Sequence, residues 1–226
     1  MATALQLVNK ALRELREPQV TDFSADYTLL ALQKVNQARR EIENVRPWDA
    51  LRVAITFPTV SGTETYNLGT GTTATGGVTN ERSYLVKDEC GREMIFDVTS
   101  KTQLSLVGTE YHRSLSQLAQ MTNAQPGPVS LIRASTGYTM RMYPKPNGVY
   151  SIVSTWIVPQ PDFTLVTDNL SIPEAPVYLL AASYLAAERG DGMGEAAANL
   201  RAAAMQAVND AIQFGSDLNE LTFYVE

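Results

Sequence analysis

The pattern of apolar and polar residues begins with the period of an α-helix. In the first segment an apolar face recurs every three or four residues, at Leu5, Val8, Leu12 and Leu15. This spacing predicts a helix with one buried side. Pro18 is expected to end it, because proline has no N–H to continue the hydrogen-bond ladder. A second helix is predicted from an N-cap at Ser24 to about Val45.

The second predicted helix has an apolar side and a charged side. Its apolar stripe consists of Val35, Ala38, Ile42 and Val45. Its charged residues lie largely off that stripe, at Lys34, Arg39, Arg40, Glu41 and Glu43. Because the two signs of charge are mixed, we expect a solvated face rather than a basic binding patch.

From Leu51 the period changes to two, which is typical of a half-buried strand. The inward positions of this strand are Leu51, Val53, Ile55 and Phe57. Residues 64–67 predict a second, short strand. The runs SYLVKD and REMIFDV predict a hairpin around residues 89–91, where glycine supplies the turn. Residues 100–121 carry only a weak helical pattern.

Residues 123–161 have the clearest β pattern. Three strand-like runs, VSLIR, YTMRMY and VYSIVSTWIV, are separated by the turn-forming stretches STG and PKPNG. We expect an antiparallel meander. The helical period then returns from Ile172 in two helices separated by a glycine-rich break at residues 190–192, and thirteen alanines fall between residues 172 and 214. Alanine favours helix and lets helices approach closely, so these helices are expected to pack tightly.

These elements together predict an α+β fold. A four-helix body is formed by the N- and C-terminal helical pairs, residues 1–50 and 164–216, and residues 51–163 are a β-rich antiparallel insertion between them. Residues 217–226 form a C-terminal tail with the apolar residues Leu221, Phe223, Tyr224 and Val225. Terminal segments are ordered only when something holds them, so the tail either folds back on its own core or docks on a partner.

Charge and composition exclude several functions. The chain of 226 residues has a formal net charge of −6, which opposes sequence-independent binding to nucleic acid. One cysteine and one histidine cannot form an internal disulfide or a Cys/His zinc site. The N-terminus is not typical of a secretory signal, and the longest apolar run, residues 175–187, is shorter than a membrane span. We therefore expect a protein made in the cytoplasm, without cofactor, metal or membrane.

The stretch LGTGTTATGGVTN at residues 68–80 matches the letters of a dinucleotide fingerprint in Gly69–Ala74. That fingerprint binds pyrophosphate only where it opens a helix, and TGGVTN is a poor first turn. The same stretch lacks the lysine of a P-loop, because Gly77 and Val78 stand where Lys and Ser/Thr are required. We interpret it as a flexible β loop with glycines at Gly69, Gly71, Gly76 and Gly77.

Signals for hydrolysis are weak. His112 is the only imidazole, and a lone histidine is more often a surface or capping residue than a catalytic base. Carboxylate pairs for glycoside cleavage are available in the β region at Glu64, Asp88, Glu89 and Glu93. Such pairs occur in any acidic protein, so the sequence does not predict an enzyme.

The order of several segments resembles the head-to-tail adaptor proteins of tailed bacteriophages, especially short-tailed ones. The N-terminal half contributes LVNKALREL, VNQARREI, WDALR and FPTVSGTETYNL. The C-terminal half contributes QPGPVSLI, MRMYPKPNGVYSIVSTWIVPQP and IPEAPVYLLAASYLAAERG. The resemblance is firmest over residues 5–67 and 127–190, and it does not include residues 69–80 and 100–121.

The resemblance implies a structural protein of the virion, at the junction of head and tail. Such adaptors form a ring, usually of twelve copies, between the portal protein and the tail nozzle protein, and DNA passes through without specific binding. The tail at Leu221, Phe223, Tyr224 and Val225 would dock on the portal, and the loop with Gly69, Gly71, Gly76 and Gly77 would face the nozzle. The alternatives are a virion-associated cell-wall glycan hydrolase, with Glu64 or Glu93 as candidate acids, and another tail-completion ring protein.

Overall fold

The structure is a computed structural model, and it describes residues 1–69, 78, 82–88, 90–118, 123–134, 137–190 and 194–221. The chain divides into two compact units. Residues Met1–Arg46 and Pro161–Glu226 form the helical unit, and Pro47–Gln160 form the strand unit. Helices lie towards both ends of the chain with antiparallel strands between them, which confirms the α+β class.

The described residues form five α-helices. They are α1 (Ala4–Glu14), α2 (Asp26–Glu43), α3 (Thr109–Leu118), α4 (Glu174–Glu188) and α5 (Gly194–Leu221). Four of them belong to the helical unit, and α3 belongs to the strand unit. The weak pattern in residues 100–121 therefore contains a real helix, which packs on the strand that begins at Val129.

Helix α1 begins at a capping box. The Thr3 hydroxyl accepts a hydrogen bond from the Gln6 N–H at 3.2 Å, and the Gln6 side chain accepts from the Thr3 N–H at 3.0 Å. The buried face includes Leu7, Val8 and Leu12, whereas Leu5 of the predicted stripe is only half-buried. The apolar face is thus rotated towards Leu7 relative to the prediction.

The predicted cap of α2 is wrong by one residue. The helix begins at Asp26 after Ala25, and Ala25 offers no side-chain cap. The N–H of Ser24 instead donates to the Asp22 carboxylate at 2.9 Å, so Ser24 belongs to a turn before the helix. At the other end α2 stops at Glu43, and Val45 is 46% exposed because it lies beyond the last helical turn.

The strand unit contains two antiparallel sheets. The strands are β1 (Arg52–Pro58), β2 (Thr65–Asn67), β3 (Tyr84–Leu85), β4 (Ile95–Asp97), β5 (Thr102–Gln103), β6 (Val129–Ala134), β7 (Gly137–Met142) and β8 (Ser151–Ile157). The large sheet has the order β1-β8-β4-β5, with β3 also paired to β8. The small sheet has the order β2-β7-β6. In the large sheet, Arg52 of β1 lies opposite Ile157 of β8, and Ile95 of β4 lies opposite Ser154.

Both sheets contribute to one apolar core. The large sheet supplies Ile55, Phe57, Ile95, Ile152 and Trp156, and the small sheet supplies Tyr66, Val129, Met140 and Met142. The rings of Tyr138 and Trp156 lie 4.9 Å apart between their centroids, which joins β7 to β8. The predicted alternation of β1 is confirmed, because Ile55 and Phe57 are buried and Thr56 between them is exposed.

The predicted meander of three strands is wrong at its second turn. β6 and β7 form the expected hairpin, but β8 pairs with β1, β3 and β4 in the large sheet. Pro144 and Pro146 lie in the link between β7 and β8, where neither has an N–H that could close a tight hairpin turn. The link bonds to other segments instead: the Ala124 N–H donates to the Lys145 carbonyl at 2.9 Å and the Gly62 N–H to the Pro146 carbonyl at 2.8 Å.

Candidate assembly surface

Helix α4 is a core helix of the helical unit. Eight of its residues are buried, including Val177, Leu180, Ala182 and Leu185. It packs against α1, α2 and α5, so it has neighbours on several sides. A helix that is apolar all round needs this kind of environment.

Helix α5 is much less covered. Among its side chains that the structure describes, up to Phe214, only Ala204 and Val208 are buried, and they are one turn apart on the side that packs on α4. The outer face of α5 contains the exposed apolar residues Ala198, Ala202, Ala203 and Phe214, and it also contains exposed charged residues, among them Arg201 and Asp210. Phe214 is 71% exposed. Exposed apolar surface of this kind commonly marks a contact with another protein.

Polar contacts fix the positions of α4 and α5. The Lys10 ammonium of α1 lies 2.5 Å from the Glu174 carboxylate at the start of α4. Glu41 of α2 accepts a hydrogen bond from the Tyr184 hydroxyl of α4 and lies 3.7 Å from the Arg201 guanidinium of α5. Burial and the Glu41 carboxylate raise the pKa of Tyr184 to about 12, because both disfavour a phenolate there. Three helices therefore meet at one carboxylate.

A buried charge cluster lies on α2. Arg39 is fully buried, and its guanidinium is 3.3 Å from the Glu43 carboxylate and 2.8 Å from the Asp162 carboxylate. The same guanidinium lies over the Phe163 ring, 4.9 Å from its centroid. Asp162 also accepts from Arg40 Nε at 2.9 Å. The expectation of a solvated charged face is wrong for Arg39 and Glu43.

The physical reason is that residues after β8 cover this part of α2. The Asn36 side chain makes two hydrogen bonds to the backbone of Phe163. Its NH2 group donates to the Phe163 carbonyl at 3.0 Å, and its oxygen accepts from the Phe163 N–H at 2.8 Å. These two bonds hold Phe163 over Arg39. A buried charge is tolerated only when it is paired and hydrogen-bonded, as this one is.

The residues of the predicted docking tail lie mostly outside the described part. Leu221 is the last residue of α5, so the helix extends into the segment that the sequence assigns to the tail. Phe223, Tyr224 and Val225 lie outside the described residues. Their docking remains a prediction.

The predicted loop at residues 68–80 is described only at its base. Gly69 is buried beside β2, while Gly71, Gly76 and Gly77 lie outside the described residues. The Leu68 N–H donates to the Tyr138 carbonyl at 2.7 Å, and the Val78 N–H donates to the Leu68 carbonyl at 2.8 Å. A Cβ on Gly137 would be 2.2 Å from the Val78 oxygen, so glycine is required where β7 passes the loop. Both ends of the loop are therefore anchored in the strand unit.

The candidate catalytic residues have structural surroundings. His112 is 2% exposed in α3, with its ring edge-on to Tyr143 at 6.2 Å, so the expectation of a surface or capping histidine is wrong. The Asp88 carboxylate accepts from the N–H groups of Arg92 and Cys90, and the hydrogen bond from Arg92 is the main cause that lowers the pKa of Asp88. Glu93 lies 3.6 Å from the Lys87 ammonium.

The other carboxylates do not form a recognisable site either. Glu64 is half-buried just before β2, and Glu89 lies outside the described residues. Within the described ranges, no group of three His, Cys, Asp or Glu residues is arranged to hold a metal ion. In the same part of the chain, no helix has the length and apolar character needed to cross a membrane.

Sequence reasoning missed the outer face of α5. The available signal was Phe214, which is six residues beyond Val208 and off the buried stripe. The alanine-rich pattern predicted close packing, but it did not distinguish packing within the chain from packing between chains.

The model of the family described as SU10 adaptor protein matches residues 2–220. The search of curated proteins found no match.

Proposed function

The chain belongs to the SU10 adaptor protein family, and we propose that it is a ring-forming adaptor that joins the portal protein to the tail nozzle protein. The family is one of phage adaptor proteins with a structural role in the virion and in tail assembly. The match over residues 2–220 carries the proposal, because it includes both units of the structure.

The helical unit is proposed as the ring-forming body, with the helical pairs of residues 1–50 and 164–216 acting as one four-helix body. Support comes from α5, whose outer face is uncovered in the single chain. In a ring, the same two different surfaces meet at every interface, so each copy needs one surface for each neighbour. The proposed ring contains twelve copies, and DNA passes through it without specific binding. The net charge of −6 favours that passage, because an acidic protein repels the DNA phosphates and does not bind them.

The strand unit, residues 51–163 in the predicted division, is proposed to face the nozzle. The loop that contains Gly69, Gly71, Gly76 and Gly77 would make part of that contact. Support comes from the anchored base of the loop, since Leu68 and Val78 are buried and hydrogen-bonded to each other. An epitope tag inserted between residues 72 and 73 should block binding of purified nozzle protein and leave binding of portal unchanged.

The C-terminal tail is proposed to dock on the portal through Leu221, Phe223, Tyr224 and Val225. Aromatic residues in a terminal segment are effective anchors, because they bury a large area when they enter a pocket on a partner. Before assembly, the protein is expected to be in the host cytoplasm.

Native mass measurement of the full chain with purified portal protein tests the proposal. Wild-type chain should add to the portal as a closed ring, and a chain without residues 217–226 should bind at least about tenfold more weakly because it lacks its anchors. Circular dichroism of the shortened chain serves as the control for folding. If the shortened chain binds portal as tightly as the wild type, the docking role of the tail is wrong.

Zymography tests the alternative, enzymatic role. Zymography of the purified protein on peptidoglycan should show no clearing, and the portal complex should form in the same preparation. A cleared band that disappears with Glu64→Gln or Glu93→Gln would favour the glycan hydrolase instead.

A further inference from the structure

A cleft lies within the helical unit between the end of α1 and the first turns of α5. Its volume is about 520 Å³, and it is lined by Glu14, Leu15, Arg16, Ala196, Asn199 and Leu200. Leu15 and Leu200 give it an apolar part, and Arg16 gives it a cation. This volume lies in the range of pockets that receive a side chain or a small ligand.

The end of α1 places Arg16 at this cleft in an unusual conformation. Arg16 has a φ of 59°, the left-handed conformation that glycine usually adopts after a helix. The Arg16 N–H donates to the Arg13 carbonyl at 2.9 Å and the Glu17 N–H donates to the Leu12 carbonyl at 2.9 Å, which is the Schellman pattern of helix termination. An arginine at this position costs conformational free energy that a glycine would not.

The charge near the cleft is not neutralised by ion pairs with its neighbours. Arg13 and Arg16 are exposed, and neither forms a salt bridge with any residue in the described part of the chain. Of the charged residues that line the cleft, Glu14 and Arg16 have opposite signs, and Arg13, one position before Glu14, adds a second cation to the end of α1. The end of α1 therefore offers two guanidinium groups that have no ion pair in the described part of the chain.

The C-terminal half of α5 has the complementary character. From Ala202 to Glu226 the sequence contains four acidic residues and no lysine or arginine. Phe214, 71% exposed, follows Asp210 by four residues and precedes Asp217 by three. These spacings place the three positions on one face of the helix. An exposed aromatic residue is thus flanked by acidic positions.

The same chain cannot bring these two features together. Leu200 at the cleft and Phe214 belong to one continuous helix and are 14 residues apart, which corresponds to about 21 Å along its axis. We propose that the cleft of one copy receives Phe214 from the α5 of a second copy, with the helix face that contains positions 210 and 217 of that copy turned towards Arg13 and Arg16. This inference rests on the proposed ring-forming function.

This contact suits a closed ring. The cleft and the Phe214 face are different surfaces of the same chain, so a copy can offer one to each neighbour. Such heterologous contacts generate a ring when the rotation closes. An aromatic residue in a partly apolar pocket with opposite charges at its border also has the usual composition of an interface hot spot.

The test uses the full chain added to purified portal, with copies per portal counted by native mass. Two variants are compared with the wild type: the single variant Phe214→Ala, and the double variant Arg13→Glu with Arg16→Glu. Each should raise the dissociation constant between adjacent adaptor copies at least about tenfold, so that portals carry incomplete rings. Tyr111→Ala removes another exposed aromatic side chain, and Lys101→Glu reverses another exposed charge; both controls lie in the strand unit and should give full rings.

The most decisive test exchanges the charges on the two sides of the contact. Asp210→Arg with Asp217→Arg should fail to complete rings, and the same chain carrying Arg13→Glu and Arg16→Glu as well should recover most of the copies. Circular dichroism and thermal unfolding of each variant establish that it folds. Recovery in the fourfold variant supports the contact, and full rings in the Phe214→Ala and arginine variants overturn it.

The two proposals fail in different ways. If wild-type chain does not add to the portal at all, the adaptor function is wrong and this contact is wrong with it. If wild type and all variants form the same full rings, the adaptor function stands and only the assignment of the cleft and Phe214 is wrong.

Discussion

Helices α4 and α5 have similar alanine-rich sequences and very different environments. In α4 the buried residues include Val177, Leu180 and Leu185 as well as alanines, and they occupy several sides of the helix. In α5 the large aliphatic residues are few, and Val208 is the one that is fully covered among the side chains described. Alanine alone does not decide burial, since its small side chain gains little from leaving water.

The difference shows how one composition can serve two purposes. Alanines in α4 allow three neighbouring helices to approach, which fills the core of the helical unit. Alanines on the outer face of α5 remain in solvent among charged residues such as Arg201 and Asp210, and Phe214 is the large apolar side chain of that face. We interpret α4 as a helix that stabilises the chain and α5 as a helix that joins copies.

The largest effect is expected from Leu180→Ala in α4. Leu180 is fully buried, so the substitution removes buried methyl groups and leaves a cavity, lowering the free energy of unfolding by about 2–5 kcal/mol. Leu165→Ala, at a residue 61% exposed in the same unit, should change it by less than about 0.5 kcal/mol. Urea unfolding monitored by circular dichroism measures both, and equal effects would contradict the assignment of α4 as the core helix.

A matched pair of alanines tests the comparison directly. Ala182→Leu in α4 inserts three carbons where the residue is fully buried, and overpacking should destabilise the chain by about 1–3 kcal/mol. Ala202→Leu on the exposed side of α5 should change stability by less than about 0.5 kcal/mol, because the added carbons remain in solvent. Thermal unfolding of the two variants decides, and a large loss at Ala202 would show that α5 is packed within the chain.

Much of the fold follows from local patterns in the sequence. The period of the apolar residues predicted α1, α2, α4 and α5, and alternation predicted β1 with Ile55 and Phe57 inside. The β6–β7 hairpin followed from turn residues between two strand-like runs. These features depend on neighbours within a few positions, which a single sequence displays.

Features that depend on distant residues were not predictable in this way. Arg39 was expected in solvent because its local neighbours are charged, but Asp162 and Phe163 cover it from more than 120 positions away. β8 was expected beside β7 because they are consecutive, but it pairs with β1. The partners in both cases are set by tertiary packing.

The candidate assembly surface was predictable only in part. The aromatic tail was visible in the sequence, whereas the exposure of Phe214 and the cleft at Arg16 require the helices to be placed in space. The sequence also shows that no lysine or arginine follows Arg201. A contact could be inferred from this only once α5 was known to be one continuous helix.

The smallest expected effect concerns the polar contact that joins α4 and α5 through Glu41. The pKa of Tyr184 is about 12 in the folded chain and about 10 when unfolded, so the folded state favours the neutral phenol. Stability from this group is complete below pH 10 and is lost as the pH rises towards 12, because only the unfolded chain releases the proton in that interval. Tyr184→Phe should therefore lose about 1 kcal/mol at neutral pH and show a smaller fall in Tm between pH 10 and 12.

Tyr178→Phe in the same helix is the matched control, since the Tyr178 hydroxyl has no hydrogen bond to a residue in the described part of the chain. This control should keep the wild-type fall in Tm over the same pH interval. Arg201→Ala tests the contribution of α5: the Arg201 side chain is 60% exposed, so the loss of stability should be below about 1 kcal/mol. Because Arg201 lowers the pKa of Tyr184, its removal should also move the alkaline fall to higher pH. If the fall in Tm of Arg201→Ala occurs at the same pH as in the wild type, α4 and α5 do not share the Glu41 contact in solution.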